Sequence, residues 1–212
     1  MLTDAMSVPP SSPAEAEPET PARRWRPSAP ALISAGFVVA FALAVLIPAA
    51  GMLEPDDYAY RAAIEALRHG HLWLTSAQYH DLASHLSSLD GGGQGIQQWV
   101  QRANGTWISE KNPGYPFLAV PFAWLHLLRF APVFYGALAS ISLYLGARRW
   151  IGAWGGTLAV GLFLSSGAAL VFGWRATMPT FTDASLIGIG IGLLLWAALA
   201  VERSERRRTL VS

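Results

Sequence analysis

Two adjacent carboxylates, Asp56 and Asp57, are the side chains of this sequence best suited to acid–base chemistry. They follow a long apolar segment, and carboxylates at the edge of a membrane are costly to desolvate. Their mutual repulsion should raise the pKa of one of them, which prepares a carboxyl group to act as a general base or acid near neutral pH. The structural alternative is that Asp56 caps the helix that follows, where acidic side chains are favoured.

Two further segments place charged side chains next to apolar runs. One is 110–116, which contains Lys111 and Tyr115 and is also typical of a turn that leads into a helix. The other runs from Arg175 to Asp183. An acid at the boundary of an apolar run is a functional candidate, although Asp183 or Thr182 could equally be a helix N-cap.

The sequence does not indicate a metal site. It contains no cysteine, which excludes thiolate ligands, and His80 and His85 match no metal-binding spacing. A requirement for a divalent metal therefore stays open. The net charge of +1 and the lack of a basic stripe with interleaved aromatic residues exclude nucleic acid as an expected partner.

The composition favours lipid around much of the chain. Hydrophobic residues make up 52% of the sequence and charged residues only 14%, whereas soluble domains carry about 25% charged residues. Uncharged runs long enough to cross a hydrocarbon core of about 30 Å recur along the chain. We predict an all-α membrane protein with four transmembrane helices, at residues 31–53, 130–147, 151–174 and 184–201.

The remaining segments complete the predicted organisation. Residues 1–30 are rich in Pro, Ala, Ser and Glu, which predicts a disordered tail. Residues 54–116 are expected to form a loop of short helices, followed by a short helix at 117–128 that Pro121 interrupts. Residues 202–212 are expected to be a solvated tail.

Three arginine clusters predict the orientation. They lie before the first helix, between the second and third, and after the fourth, at residues 23–26, 148–149 and 203–208. With four spans, all three fall on one side, which the positive-inside rule assigns to the cytoplasm. We therefore expect an integral protein of the cell membrane with both termini cytoplasmic and the 54–116 loop on the outer face.

Taken in order, these features resemble the N-terminal part of the GT-C membrane glycosyltransferases. The closest likeness is to protein O-mannosyltransferase-like enzymes of family 39 and the related bacterial lipid A and core sugar transferases. The Asp-Asp-Tyr-Ala-Tyr run at 56–60 stands where that family has an acidic motif after helix one, and Asn-Pro-Gly-Tyr-Pro at 112–116 resembles its PPGYP segment. The stretches at 143–150 and 175–186 are similar to the family's cytoplasmic turn and to its arginine and aspartate motif.

The resemblance implies the transfer of a sugar from a polyprenyl-phosphate donor to an acceptor on the outer face, with inversion. By that likeness, Asp56 would deprotonate the acceptor hydroxyl, while Asp57 stands where the family often has Glu. Lys111 and Arg175 would contact the lipid phosphate through charge-assisted hydrogen bonds. Tyr115 and Asp183 lie in the matched motifs and would belong to the substrate site.

The chain departs from the family because it stops after four predicted helices, whereas full members have many more. We therefore expect a second membrane chain or self-association through the helix at 184–201, whose glycines between Gly188 and Gly192 permit close helix packing. A noncatalytic scaffold or partner subunit derived from such an enzyme is the alternative function. A transporter is the third, disfavoured because the predicted spans contain no charge.

Overall fold

The computed structural model describes residues 27–47, 54–90 and 96–209. The described chain is mostly helical, and a small sheet interrupts the helices. Its helices are α1 (Ala29–Leu46), α2 (Pro55–Arg68), α3 (Ser76–Asp90), α4 (Gly114–Trp124), α5 (Ala131–Leu164), α6 (Gly167–Trp174) and α7 (Pro179–Thr209). The strands are β1 (Trp73–Thr75), β2 (Trp99–Gln101) and β3 (Thr106–Ser109), and a 3₁₀ turn spans Leu128–Phe130.

Three helical segments are long and apolar enough to cross a membrane: Ala29–Leu46, Leu128–Leu164 and Pro179–Leu199. The first predicted span is thus observed as α1, and residues 48–53 lie outside the described part. The last begins at Pro179, earlier than predicted, and the helix continues to Thr209. The tail predicted from residue 202 is thus helical as far as Thr209, and its exposure to solvent stays a prediction. The tail predicted at 1–30 lies outside the described residues up to 26, and α1 already includes Ala29 and Pro30.

The long helix α5 reverses direction near its middle. Ile151 and Gly152 have non-helical backbone angles, and Gly152 has φ 78° and ψ 175°. A Cβ placed on Gly156 would lie 2.9 Å from the carbonyl oxygen of Tyr144, although residues twelve apart in a straight helix are about 18 Å apart. The chain therefore folds back, and we call 131–150 the first arm and 153–164 the second arm.

The second arm ends at Leu164, and α6 begins again at Gly167 after Ser166 caps it. The Ser166 hydroxyl accepts a hydrogen bond from the backbone N–H of Ala169 at 3.1 Å. A capping serine gives the backbone an alternative to continuing the helix. The prediction of one uninterrupted helix over 151–174 is wrong for this reason.

Glycines bring α7 very close to the first arm. A Cβ on Gly192 would overlap the backbone of Ser142, and one on Gly146 would lie 2.5 Å from the Gly192 carbonyl oxygen. Gly188 likewise faces Ala139 of the first arm. Small residues permit such close contact between membrane helices. Gly188 and Gly192 are packing positions as predicted, but they pack within the chain and are not free for a second copy. A Cβ on Gly190 would meet nothing within 4 Å, so the prediction is wrong for that glycine.

The second arm packs against α1. The Ser34 hydroxyl donates to the Thr157 hydroxyl at 3.1 Å, and Thr157 donates to the Pro30 carbonyl at 2.9 Å. Nearer the other end, Phe41 of α1 contacts Phe181 of α7, with ring centroids 4.9 Å apart. The bundle core is thus a shared apolar cluster of α1, α5, α6 and α7.

Residues 54–90 and 96–113 form a cap subdomain at one end of the helix bundle. The prediction that this loop contains helices alone is wrong, because its three strands pair antiparallel in the order β1-β3-β2. Tryptophan and β-branched residues favour these strands, and Gly105 provides the positive φ of the turn between β2 and β3. One sheet face packs on α2 and α3, where Tyr79 stacks on Trp107 with centroids 3.8 Å apart.

Helix α4 connects the cap subdomain to the bundle. It begins at Gly114 and ends at Trp124, earlier than the predicted segment 117–128, and contains Pro121. Its buried side packs on α2 through a cluster that includes Tyr60, Tyr115 and Val120. This contact fixes α2, and with it the two acids at its start, against the end of the bundle.

Candidate functional site

The first turn of α2 sends its two adjacent acids in different directions. Glu54 occupies the N-cap, Pro55 follows, and the Glu54 N–H donates to the Asp57 carboxylate at 3.1 Å. The alternative in which Asp56 caps the helix is therefore wrong. Successive helix residues are about 100° apart around the axis, so Asp57 faces the bundle at 2% exposure while Asp56 stays partly exposed.

Asp57 and Arg175 form a buried pair that connects α2 to the segment between α6 and α7. Arg175 donates from Nε at 3.1 Å and from Nη2 at 2.5 Å, both to Asp57 Oδ2. The Thr177 hydroxyl donates to Asp57 Oδ1 at 2.8 Å, and Arg175 Nη1 lies 3.1 Å from Glu54 Oε2. Both oxygens of the buried carboxylate are therefore satisfied, as burial of a charge requires.

The same contacts fix the charge of the guanidinium. Burial alone would lower the pKa of Arg175, but the hydrogen bond and charge of Asp57, followed by those of Glu54, raise that pKa above its ordinary value. Arg175 is thus a permanent cation whose three nitrogens already contact protein carboxylates. Its expected contact with a lipid phosphate has little support in this arrangement.

Asp56 and Lys111 form a second pair, the rim pair, at the edge of the cap subdomain. Lys111 Nζ lies 3.0 Å from Asp56 Oδ1, and Gln98 Nε2 donates to the same oxygen at 2.9 Å. The ammonium also lies 5.6 Å from the centre of the Tyr60 ring. The two side chains are 36% and 21% exposed, so water and a ligand can reach them.

The expectation of a raised carboxyl pKa is wrong for Asp56. The hydrogen bond from Lys111 lowers the pKa of Asp56 below its ordinary value, and burial opposes this only in part. The cation lies in direct contact with Asp56, and Arg175 adds to the effect, so attraction outweighs repulsion between acids. Asp56 is therefore ionised at neutral pH.

Tyr115 and Asp183 lie beside the rim pair. Tyr115 is buried, its hydroxyl donates to the Ala176 carbonyl, and burial raises its pKa above the ordinary value of 10.0. Asp183 is exposed within α7, which begins at Pro179, so neither it nor the buried Thr182 is an N-cap. Tyr60, Tyr115 and Asp183 line a pocket of about 280 Å³.

The structure thus brings the predicted side chains to one end of the bundle, where four of them form two pairs and Tyr115 and Asp183 belong to neither. Sequence reasoning missed Gln98 and Thr177, which contact the two acids. Nothing in the sequence distinguishes Gln98, but its backbone has φ 65°, which is uncommon for a residue other than glycine and often marks a functional position. No group of three His, Asp or Glu side chains that could hold a metal occurs within the described ranges.

A search of known protein families, curated proteins and solved structures found no significant match to this chain. The function is therefore inferred from the geometry of the two pairs and from the order of the sequence motifs. The rim pair is the part of this arrangement that combines an ionised carboxylate with access from solvent.

Proposed function

We propose that this chain transfers a sugar from a polyprenyl-phosphate donor to an acceptor hydroxyl, as one part of a larger GT-C-like assembly. The observation that carries the proposal is the partly exposed Asp56–Lys111 pair, held at the end of an apolar helix bundle by the buried pair beneath it. A carboxylate next to an ammonium at a membrane boundary suits a substrate that joins a hydroxyl, a phosphate and a long apolar chain.

The chemistry assigns one role to each member of the rim pair. Asp56 accepts the proton of the acceptor hydroxyl while the hydroxyl oxygen attacks the anomeric carbon from the face opposite the phosphate. The bond from that carbon to the phosphate oxygen breaks, and the electron pair leaves with the polyprenyl phosphate. The phosphate lies on the other face of the anomeric carbon, so Lys111 moves away from its 3.0 Å contact with Asp56 to stabilise the negative charge that develops on the leaving oxygen.

We also propose four membrane passes with both termini in the cytoplasm. The reversal at Gly152 supports two passes within 131–174 in place of one. The start of α1, the reversal and Trp196 of α7 share one end of the bundle, where Arg149 lies 4.6 Å from the Trp196 ring. The arginines at 148–149 therefore lie opposite the cap subdomain, and the positive-inside rule makes their side cytoplasmic.

Impermeant thiol reagents test this topology on intact cells, since the natural chain has no cysteine. Asn104→Cys, in the turn between β2 and β3, should label from outside. Ser204→Cys should label only after the membrane is opened. External labelling of Ser204→Cys would overturn the orientation.

Turnover tests the chemical proposal. Full-length protein in native membranes should transfer sugar from a panel of polyprenyl-phosphate monosaccharides, and Asp56→Asn should lower turnover by about 10² to 10⁴, the usual contribution of a general base. Glu65→Gln is the matched control, because Glu65 lies on the same helix and pairs with Arg68 instead. No transfer by the natural chain, or equal turnover by both variants, would refute the proposal.

A noncatalytic scaffold derived from such an enzyme is the second candidate. It is favoured by the saturation of the site, because Arg175 is taken up by two carboxylates and Lys111 by one. In that case the chain should co-purify with another membrane protein and show no transfer alone or in the complex. Any self-association through α7 would use its exposed side, around Ile187 and Leu194, since Gly188 and Gly192 are occupied.

A further inference from the structure

A second groove opens on the side of the cap subdomain that faces away from its core. It has a volume of about 300 Å³ and lies between the sheet, α2 and the start of α4. Its walls are apolar and its polar lining includes two cations, Arg102 and Lys111. Lys111 therefore belongs both to the rim pair and to this groove.

The register of the sheet explains the apolar wall. Ile108 of β3 pairs with Trp73 on one side and with Val100 on the other, so these three side chains share one face. The opposite face, with Leu74 and Trp107, packs on the subdomain core. An antiparallel sheet with one packed face usually has polar residues on the other, and an apolar second face indicates an apolar ligand.

The charges of the groove indicate an anion. Arg102 is exposed and makes no ion pair within the described residues, and Lys111 keeps N–H donors beyond the one used on Asp56. Ser109 also lines the groove, and its hydroxyl accepts from the backbone N–H of Lys111 at 3.0 Å. Of the described residues that line it, none is acidic. Arginine and lysine together suit a phosphate group.

We infer that this groove binds a lipid phosphate, with the phosphate on Arg102 and Lys111 and the first part of the chain against Trp73 and Ile108. The inference rests on the proposed function in so far as it makes this lipid the donor. It then assigns to Arg102 the phosphate contact that the family resemblance implied for Arg175, whose guanidinium is bound to Asp57 in the buried pair.

Fluorescence quenching of Trp73 tests binding without any turnover. The probe is a bilayer that contains brominated phosphatidylglycerol, and brominated phosphatidylcholine is the zwitterionic control lipid. The difference in quenching between the natural chain and Trp73→Phe is the signal of Trp73, and this difference measures lipid binding in the groove. It should be greater with phosphatidylglycerol, and added undecaprenyl phosphate should reverse it whereas inorganic phosphate should not.

The variant pair makes the test specific. Arg102→Gln should raise the phosphatidylglycerol concentration that gives half-maximal quenching of Trp73 about tenfold or more, since a charge-assisted phosphate contact is lost. Arg61 is exposed like Arg102, but it lies on α2 and outside the groove. The control variant Arg61→Gln should therefore behave like the natural chain. Equal effects of the two variants, no quenching lost in Trp73→Phe, or reversal by inorganic phosphate would each overturn the inference.

The outcome is separable from that of the proposed function. Specific quenching in a chain that shows no transfer would keep the groove and refute the transferase. Transfer that depends on Asp56 but has the same donor KM in Arg102→Gln would keep the transferase and refute the groove as the site of the donor.

Discussion

The buried pair and the rim pair begin at neighbouring residues and have opposite environments. Asp57 is 2% exposed, and its two oxygens accept from Arg175, Thr177 and the Glu54 N–H. Asp56 is 36% exposed, and its Oδ1 accepts from Lys111 and Gln98. The two acids differ because they point in different directions around the helix. Asp57 points into the protein and stabilises the fold, whereas Asp56 points outwards and can contact a ligand.

This difference has an energetic side. A buried charge whose partner is removed is strongly destabilising, whereas an exposed pair contributes little because water screens it. The buried pair therefore has a sufficient structural explanation. The rim pair has almost none, which is why a functional role is assigned to it.

The largest effect is expected from Asp57→Ala. It leaves the guanidinium of Arg175 buried without its main partner, which should reduce the free energy of unfolding by about 3–5 kcal/mol. Thermal unfolding in detergent measures the loss. The double variant Asp57→Leu with Arg175→Met should recover most of it. If Asp57→Ala is as stable as the natural chain, the buried pair has no greater structural role than the rim pair.

A smaller loss is expected from Thr177→Val, which keeps the shape but removes the donor to Asp57 Oδ1. A hydrogen bond to a charged group contributes about 1.5–3 kcal/mol. Thr106→Val is the matched control, since the Thr106 hydroxyl donates only to the Asn104 side chain, at an exposed site. If both variants unfold at the same temperature, the hydrogen bond from Thr177 to Asp57 does not contribute to stability.

Asp56→Asn should change stability by less than about 1 kcal/mol, because the rim pair is screened by solvent. Under the proposed function the same variant loses turnover, so stability and activity separate at this residue. Unfolding in detergent and transfer in membranes are measured on one preparation. A loss of stability as large as that of Asp57→Ala would make Asp56 a structural residue instead.

The smallest effect concerns acid. The pKa of Asp56 is lowered from 3.8 in the folded chain, so the unfolded chain takes up the proton at a higher pH than the folded one. The stability that the rim pair contributes is therefore present above about pH 4 and is lost as the pH falls through the lower, folded pKa. The difference in melting temperature between the natural chain and Asp56→Asn should begin to shrink as the pH falls below about 4. A difference that stays constant or grows below that pH would contradict this.

The apolar helices could be predicted from the sequence because length and composition alone determine them. The strands could not, since β1 and β2 have three residues each and depend on β3 for pairing. The charged residues of the site were found by their position next to apolar runs. Their pairing was not, because it depends on where α2 begins and on contacts across more than a hundred residues, such as Asp57 with Arg175. The functional roles stay predictions.

The reversal at Gly152 has a consequence for how the chain enters a membrane. Only Ile151 and Gly152 separate the two arms, so under the proposed topology we expect them to insert together as a helical hairpin. Arg148 and Arg149 lie beside the bend and are costly to carry through lipid, so under that topology they stay on the side of synthesis. The backbone of Gly152 is in a region that is almost exclusive to glycine, and a larger residue there should delay biogenesis before it affects the finished protein.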